Sequence, residues 1–270
     1  MNNFNNKIDS LCELYNISDN KEKKINWNLA IGLQKIDGIK PSLYLEKLIE
    51  LYDLDKIKMN TLVKFIEDYY EEKVIKTNDQ KREKECDLVS SRIAMLVTDN
   101  NFEFSVDYLK YVHRYLFKDI YNFAGNVRNC NLTKIEPVID FKSVKYADYN
   151  EINELLTLAF NNEKDRNQKN IFSYKNIQEF ADFMSNIWQI HPFCEGNTRT
   201  TAVFVIKYLK NLGFNINLNL FLENSSYFRD SLVLSTCENS SDSINNKEYL
   251  YEFYRMLFEN SERNVKKLTK

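Results

Sequence analysis

Apolar residues return at helical intervals over most of this chain. Between Ser105 and Phe117 they fall at Val106, Leu109, Val112 and Leu116, three or four apart, which lays one apolar stripe along a helix. The same reading predicts helices over Asn28–Gly38, closing at a glycine, over Leu43–Tyr52 after Pro41 and Ser42, and over Leu62–Tyr70, opened by Asn60 or Thr61. Further helices are expected over Ser90–Val97, Glu151–Phe160, Tyr174–Ile190 and Thr201 to about Leu212, with Gly213 as the stop. Residues 161–170 are polar throughout and predict a loop, while residues 71–85 are dense in charge and predict a linker or an exposed helix. Asn129–Phe141 alternates in the manner of strands, but Pro137 bars it from a sheet interior, so an edge hairpin is expected.

Composition agrees with a mostly helical protein. Five Gly and three Pro in 270 residues leave few breaks, and 270 residues can bury a large core in one domain or in one plus a small one. A net charge of −2 offers no global basic field for nucleic acid or an anionic membrane. The five cysteines, Cys12, Cys86, Cys130, Cys194 and Cys237, are scattered and never in CxxC spacing, which argues against a disulfide framework and against a zinc site. No run approaches the ~20 apolar residues of a membrane span, and the first residues lack a signal peptide's apolar core. A cytoplasmic protein is the expectation, with export by a signal-less route left open.

The chemistry concentrates in His191-Pro192-Phe193-Cys194-Glu195-Gly196-Asn197-Thr198-Arg199-Thr200. His191 has the side chain suited to accept a hydroxyl proton near neutral pH. Pro192 should bias it toward extended backbone in a loop after the helix ending near Ile190. Glu195 is a hard oxygen ligand of the kind Mg²⁺ accepts alongside phosphate oxygens. Gly196, Asn197 and Thr198 can turn the chain into a new helix, whose first N–H groups and dipole favour a bound diphosphate. Arg199, in the first turn, can take two phosphate oxygens at once. Taken singly, each residue is as well explained by an ordinary loop and N-cap; the joint pattern is what points to chemistry.

That run resembles the Fic signature His-Pro-Phe-x-Asp/Glu-Gly-Asn-Gly-Arg-x-x-Arg at seven of the eight leading fixed positions. The resemblance implies an all-α, Fic-like helical bundle with a small β-hairpin flap, transferring AMP from ATP to a Ser, Thr or Tyr hydroxyl of a target protein. By the same resemblance His191 is the catalytic base, Glu195 holds Mg²⁺ on the nucleotide, and Gly196, Asn197, Thr198 and Arg199 bind phosphate. Tyr227, in a segment similar to the family's base-binding region, would stack on adenine. The hairpin would be the flap that docks a target segment through Val138, Ile139 and Asp140, and His113 would be structural. Two positions depart: the second Gly is Thr198, and the second Arg, which would contact the γ-phosphate, is Ala202.

Residues 1–75 look like the small antitoxin or inhibitory module that accompanies many Fic domains, with residues 76–270 as the catalytic domain. The nearest match to the inhibitory motif runs from Leu33 to Asp37 and Gly38, with Leu for Ser/Thr and Asp for Glu, so Asp37 and Gly38 are the candidate inhibitory residues. Loss of both the Glu and the second Arg suggests that the usual lock went as a pair. A second candidate at Glu238-Asn239 lacks the required Ser or Thr four residues before Glu238 and is not adopted. Three readings stay open: a nucleotide-binding regulator or toxin–antitoxin scaffold of weak activity, transfer of another nucleotide, and self-modification. The target and the oligomeric state, homo-oligomers included, are not legible, and no nucleic-acid or membrane partner is expected.

Overall fold

The computed structural model describes residues 21–166, 174–214, 216–236 and 246–259. It divides into two compact units, residues 1–99 and residues 100–270. No described helix is long and apolar enough to cross a membrane.

The first unit holds α1 (Lys21–Lys35), α2 (Leu43–Asp53), α3 (Met59–Glu72) and α4 (Asn78–Thr98). Trp27, Leu29, Leu33, Leu48, Leu62, Ile66, Val89 and Ile93 form its core. Helix α4 is longer than its apolar stretch suggests. Thr77 and Gln80 make a reciprocal capping box that starts it seven residues after Tyr70, inside the charged stretch expected to be linker. Because α4 packs on α1 and α3, the units divide at Asp99–Asn100, beyond the 75/76 boundary read from the sequence. A fully buried carboxylate, Asp87, fastens three of the helices. It accepts from the Ser42 N–H at 2.9 Å, the Ser42 hydroxyl at 2.5 Å and the Tyr70 hydroxyl at 2.8 Å, while the same Ser42 oxygen caps α2 through the Leu45 N–H. Asp37 and Gly38 lie in the turn after α1, where Gly38 has φ +65 and Arg82 donates to both of their carbonyl oxygens. Leu33, at the motif position where Ser or Thr was sought, is a core residue with no exposure.

The second unit contains α5 (Val106–Phe117), α6 (Ile152–Asp165), α7 (Tyr174–Ile190), α8 (Asn197–Asn211), α9 (Asn219–Glu223), α10 (Ser225–Ser235) and α11 (Glu248–Glu259). Helix α8 is buried on every side from Arg199 to Leu209, the pattern of a central helix, and α5 and α7 pack against it. Phe102, Phe104, Phe160, Phe183, Phe204 and Tyr208 form one aromatic cluster beside it. The loop expected at residues 161–170 gives way to helix as far as Asp165. Glu163 turns inward, accepts from the Tyr208 hydroxyl at 3.1 Å and pairs with Arg166 at 2.6 Å, so a polar sequence still presents one buried face. Residues 167–170, Cys12, Cys237 and Glu238-Asn239 lie outside the described residues. Among the described cysteines, Cys86, Cys130 and Cys194 are free thiols.

The expected hairpin is present but short. β1 (Ile135–Glu136) pairs antiparallel with β2 (Lys142–Ser143), with Ile135 opposite Ser143 and Glu136 opposite Lys142. Pro137–Ile139 winds into a 3₁₀ turn, because Pro137 fixes its φ and has no N–H for a ladder. Val138 and Ile139 therefore sit in a turn, and the strand edges lie to either side of them.

Candidate functional site

The site is assembled where α7 ends and α8 begins. His191 follows the last helical residue with φ +51, the left-handed conformation that commonly closes a helix, and its N–H reaches the Trp188 carbonyl at 3.1 Å. This differs from the extended backbone expected before Pro192: helix closure outweighs the proline's preference, at a cost of about 1–3 kcal/mol in local strain. The Trp188 carbonyl lies 3.2 Å from Nδ1, and because a carbonyl can only accept, the proton belongs on Nδ1. Nε2 is then the basic nitrogen, and it is buried with no hydrogen-bond partner. Burial first, and the charge of Lys134 next, push the imidazole pKa down to about 3, so His191 is neutral at working pH. The Tyr146 ring stacks on the imidazole at 4.0 Å, and its own hydroxyl is likewise buried without a partner.

Three side chains and a glycine turn hold this strained loop. Arg128 is buried and directs its guanidinium at backbone carbonyls: His191 at 2.7 Å, Ile190 at 3.3 Å, Ala147 at 2.5 Å and Cys130 at 2.7 Å. Its N–H also donates to the Pro192 carbonyl at 2.8 Å. A cation at a helix C-terminus is favoured by the exposed carbonyls it meets there. His113 braces the loop from α5. Its Nδ1 accepts from the Gly125 N–H at 2.7 Å, which leaves Nε2–H to donate to the Glu195 carbonyl at 3.0 Å, and its ring stacks on Phe193 at 3.8 Å. The Asn197 side chain accepts from the Phe193 N–H at 3.0 Å and donates to the Phe193 carbonyl at 2.7 Å, closing the loop on itself. Gly196 turns the chain into α8 with φ +77, and a Cβ there would lie 2.4 Å from the Phe117 ring.

Glu195 is the site's half-buried carboxylate. Lys134 Nζ lies 3.1 and 3.2 Å from its two oxygens, and the Gly196 N–H donates to Oε1 at 3.1 Å. Burial pushes its pKa upward, but Lys134, this N–H and Arg199 together hold it below the ordinary carboxylate value. Thr198, the departure from the family's glycine, has a local reason: its hydroxyl accepts from the Trp188 indole N–H at 3.0 Å, tying α8's first turn to α7. Arg199 is buried with its guanidinium 4.7 Å from the centre of the Phe117 ring. At the other departure, Ala202 is wholly buried in α8.

His191, Glu195, Gly196, Asn197, Thr198 and Arg199 thus gather at one helix junction. Tyr227 does not join them: it packs into the α10–α11 interface, its ring stacked on Phe253 at 6.5 Å and its hydroxyl donating to the Tyr249 carbonyl at 3.1 Å. That face of α10 is core, as helical spacing among Phe228 and Leu232 indicates. Arg128, Lys134 and Tyr146 escaped sequence reasoning. Arg128 stood inside the Ala-Gly-Asn-Val-Arg turn, and its distance of 63 residues from His191 concealed the contact. A groove of about 540 Å³, lined by Asn131, Tyr146, Asp148, Asn186, Gln189 and Ile190 among others, runs beside the end of α7.

A neutral imidazole at one helix end, a carboxylate beside it and a helix N-terminus with a buried arginine form an arrangement that can accept a proton next to a place suited to an anion. Residues 103–209 match the Fic/DOC family, so the chain carries a Fic domain. Protein adenylyltransferase VbhT of Bartonella schoenbuchensis is 25% identical over 116 residues, covering 43% of this chain. The chain matches only 23% of that relative's length. Among solved structures, the N-terminal FIC domain of Bep8 from Bartonella sp. 1-1C superposes with a TM-score of 0.53 at 18% identity, over 68% of this chain and 88% of that one. BepC of Bartonella tribocorum, solved with AMPPNP, gives 0.51 at 17% identity over the same shares. At such identities the structures establish the helical Fic fold.

Proposed function

We propose that the chain is a Fic-type nucleotidyltransferase that moves AMP from ATP to a protein hydroxyl, its own included. The observation that carries this reading is the tautomer of His191: Nδ1–H is engaged by Trp188, and the basic Nε2 is unpaired and buried, on a residue six positions before the start of α8. In the transfer, the target oxygen attacks the α-phosphorus, its proton passes to His191 Nε2, and pyrophosphate leaves with the electrons of the broken P–O bond. The α8 N-terminus and Arg199 hold the phosphates, so alignment and charge do most of the work. Bound phosphates also oppose the positive charges that depress His191, returning the base toward its useful range.

Among the described residues no three His, Cys, Asp or Glu side chains gather as a metal site. Glu195 nevertheless suits Mg²⁺, which binds readily through one carboxylate and substrate phosphates. Bound there, the ion would neutralise phosphate charge, and it would displace the Lys134 ammonium that now shares both carboxylate oxygens.

The same reading leaves the N-terminal unit, in a cytoplasmic protein of toxin–antitoxin type, either a structural module or one that inhibits by steric occlusion, since Asp37 and Gly38 lack the second arginine they would pair with. Deletion of residues 1–73 separates the two: a large rise in transferase activity means that the module inhibits, and no rise means that it is structural. Ala202 favours a second reading, a nucleotide-binding regulator with little turnover, because no cation stands at that buried position. The two separate in His191→Ala. Transferase action requires pyrophosphate release to stop while calorimetric ATP affinity stays near wild type; a wild-type protein that binds ATP and releases no pyrophosphate with any target supports the regulator.

A further inference from the structure

The hairpin over residues 135–143 has almost nothing apolar to hold it. Its strands are two residues each, and a two-stranded hairpin alone is marginal in water. Two successive non-glycine residues, Asp140 and Phe141, carry φ +57 and +60, and Ile135 and Phe141 are exposed by 66% and 71%. Across the segment Glu136 is the one buried side chain, a carboxylate with 1% exposure. Arg229 of α10 lies 2.6 Å from it, and Asp230 stands 3.8 Å from the same guanidinium. The 3₁₀ turn packs on α10 as well. Burial raises the Glu136 carboxyl and Arg229 opposes the rise, as expected of a desolvated pair.

A second ion pair, Lys134–Glu195, ties the hairpin's root to the catalytic loop. The two ties are not equivalent. Glu195 is the group a nucleotide-bound cation would engage, so that tie is released when substrate binds, whereas Glu136–Arg229 is free to persist.

We propose that Arg229 is a positioning residue, which through Glu136 keeps the hairpin seated beside His191 while Glu195 is engaged by nucleotide. The inference rests on the transferase reading for its purpose, but not for its test. Hydrogen exchange of the amides of residues 135–143 is followed in the full chain for wild type, Arg229→Met, Glu136→Gln and the double variant Glu136→Leu/Arg229→Met, with ATP affinity measured by calorimetry on each. Removing either partner strands the other, so both single variants should exchange roughly tenfold or more faster across this segment, with exchange elsewhere and ATP affinity unchanged. The double variant leaves no uncompensated charge and should return toward wild type. Unchanged exchange in both single variants overturns the proposal. So does a fall in ATP affinity with the hairpin's protection intact, which would make Arg229 a phosphate-binding residue. Neither readout depends on turnover, so failure here is distinct from failure of the transferase reading.

Discussion

Replacing His113 by Phe separates the two ways this residue supports the loop. The ring stack on Phe193, at 3.8 Å and 12°, is kept in kind. What disappears is the acceptor for the Gly125 N–H and the donor to the Glu195 carbonyl. His113 has no exposed surface, so water cannot replace either partner without disturbing the packing. A buried polar group left unsatisfied costs about 1–3 kcal/mol, and two such groups give about 2–6 kcal/mol. Urea unfolding followed by tryptophan fluorescence at pH 7.5 measures the loss. The pH dependence adds a second readout. Burial holds the folded-state pKa at about 4 against an ordinary value of 6.5, so below pH 6.5 the unfolded chain takes up a proton that the folded chain does not. Stability should fall as pH drops from about 6.5 toward 4, at about 1.4 kcal/mol per pH unit from this residue. His191, at about 3, adds a similar slope and Asp87, raised by burial to about 6, an opposing one, so the His113→Phe protein should lose the His113 part and keep the other two. A cost below about 0.5 kcal/mol, or an unchanged slope, would refute the bracing role.

Other substitutions probe the remaining supports. Gly196→Ala must place a Cβ against Phe117 and a side chain at φ +77; a stability loss of about 2–4 kcal/mol is expected by thermal or urea unfolding, together with lost nucleotide binding by calorimetry. Arg128→Lys keeps the charge but cannot reach four carbonyls, so unfolding should show a loss of about 2 kcal/mol or more, with pyrophosphate release reduced further than ATP affinity. Lys134→Met removes the ammonium from both Glu195 oxygens, leaving only the Gly196 N–H on Oε1, and Mg²⁺ should bind more tightly in an ATP titration; an unchanged Mg²⁺ dependence would show that the ammonium does not compete for this carboxylate.

Helices with a clear apolar stripe were legible, α5 and the helix pair around the motif above all. Those whose start is polar were not. Helix α4 begins in Thr77-x-x-Gln80, a capping box that precedes charged residues, and α6 continues through Asn161–Asp165 because one inward Glu finds Tyr208 and Arg166. Neither partner is visible from local periodicity. Helix α11 (Glu248–Glu259) went unremarked although its apolar positions, Leu250, Phe253, Tyr254 and Leu257, have helical spacing. The contiguous part of the site, His191 to Arg199, was readable because its chemistry lies on nine successive residues. The parts that set its geometry come from far along the chain: Arg128 and Lys134 reach it through tertiary contacts that a linear pattern does not encode. Tyr227 shows the converse, since a residue in the right segment can face the core while Arg229, two positions on, faces the hairpin.

The central claim is that His191 Nε2 is the base for nucleotide transfer. Intact-mass analysis of the purified chain and of His191→Ala, after incubation with Mg²⁺ and each nucleoside triphosphate in turn, tests it most directly. The account predicts that wild type gains one AMP from ATP and that His191→Ala gains nothing. A gain that persists in His191→Ala, or none from any nucleotide in wild type, would contradict it for the chain acting on itself.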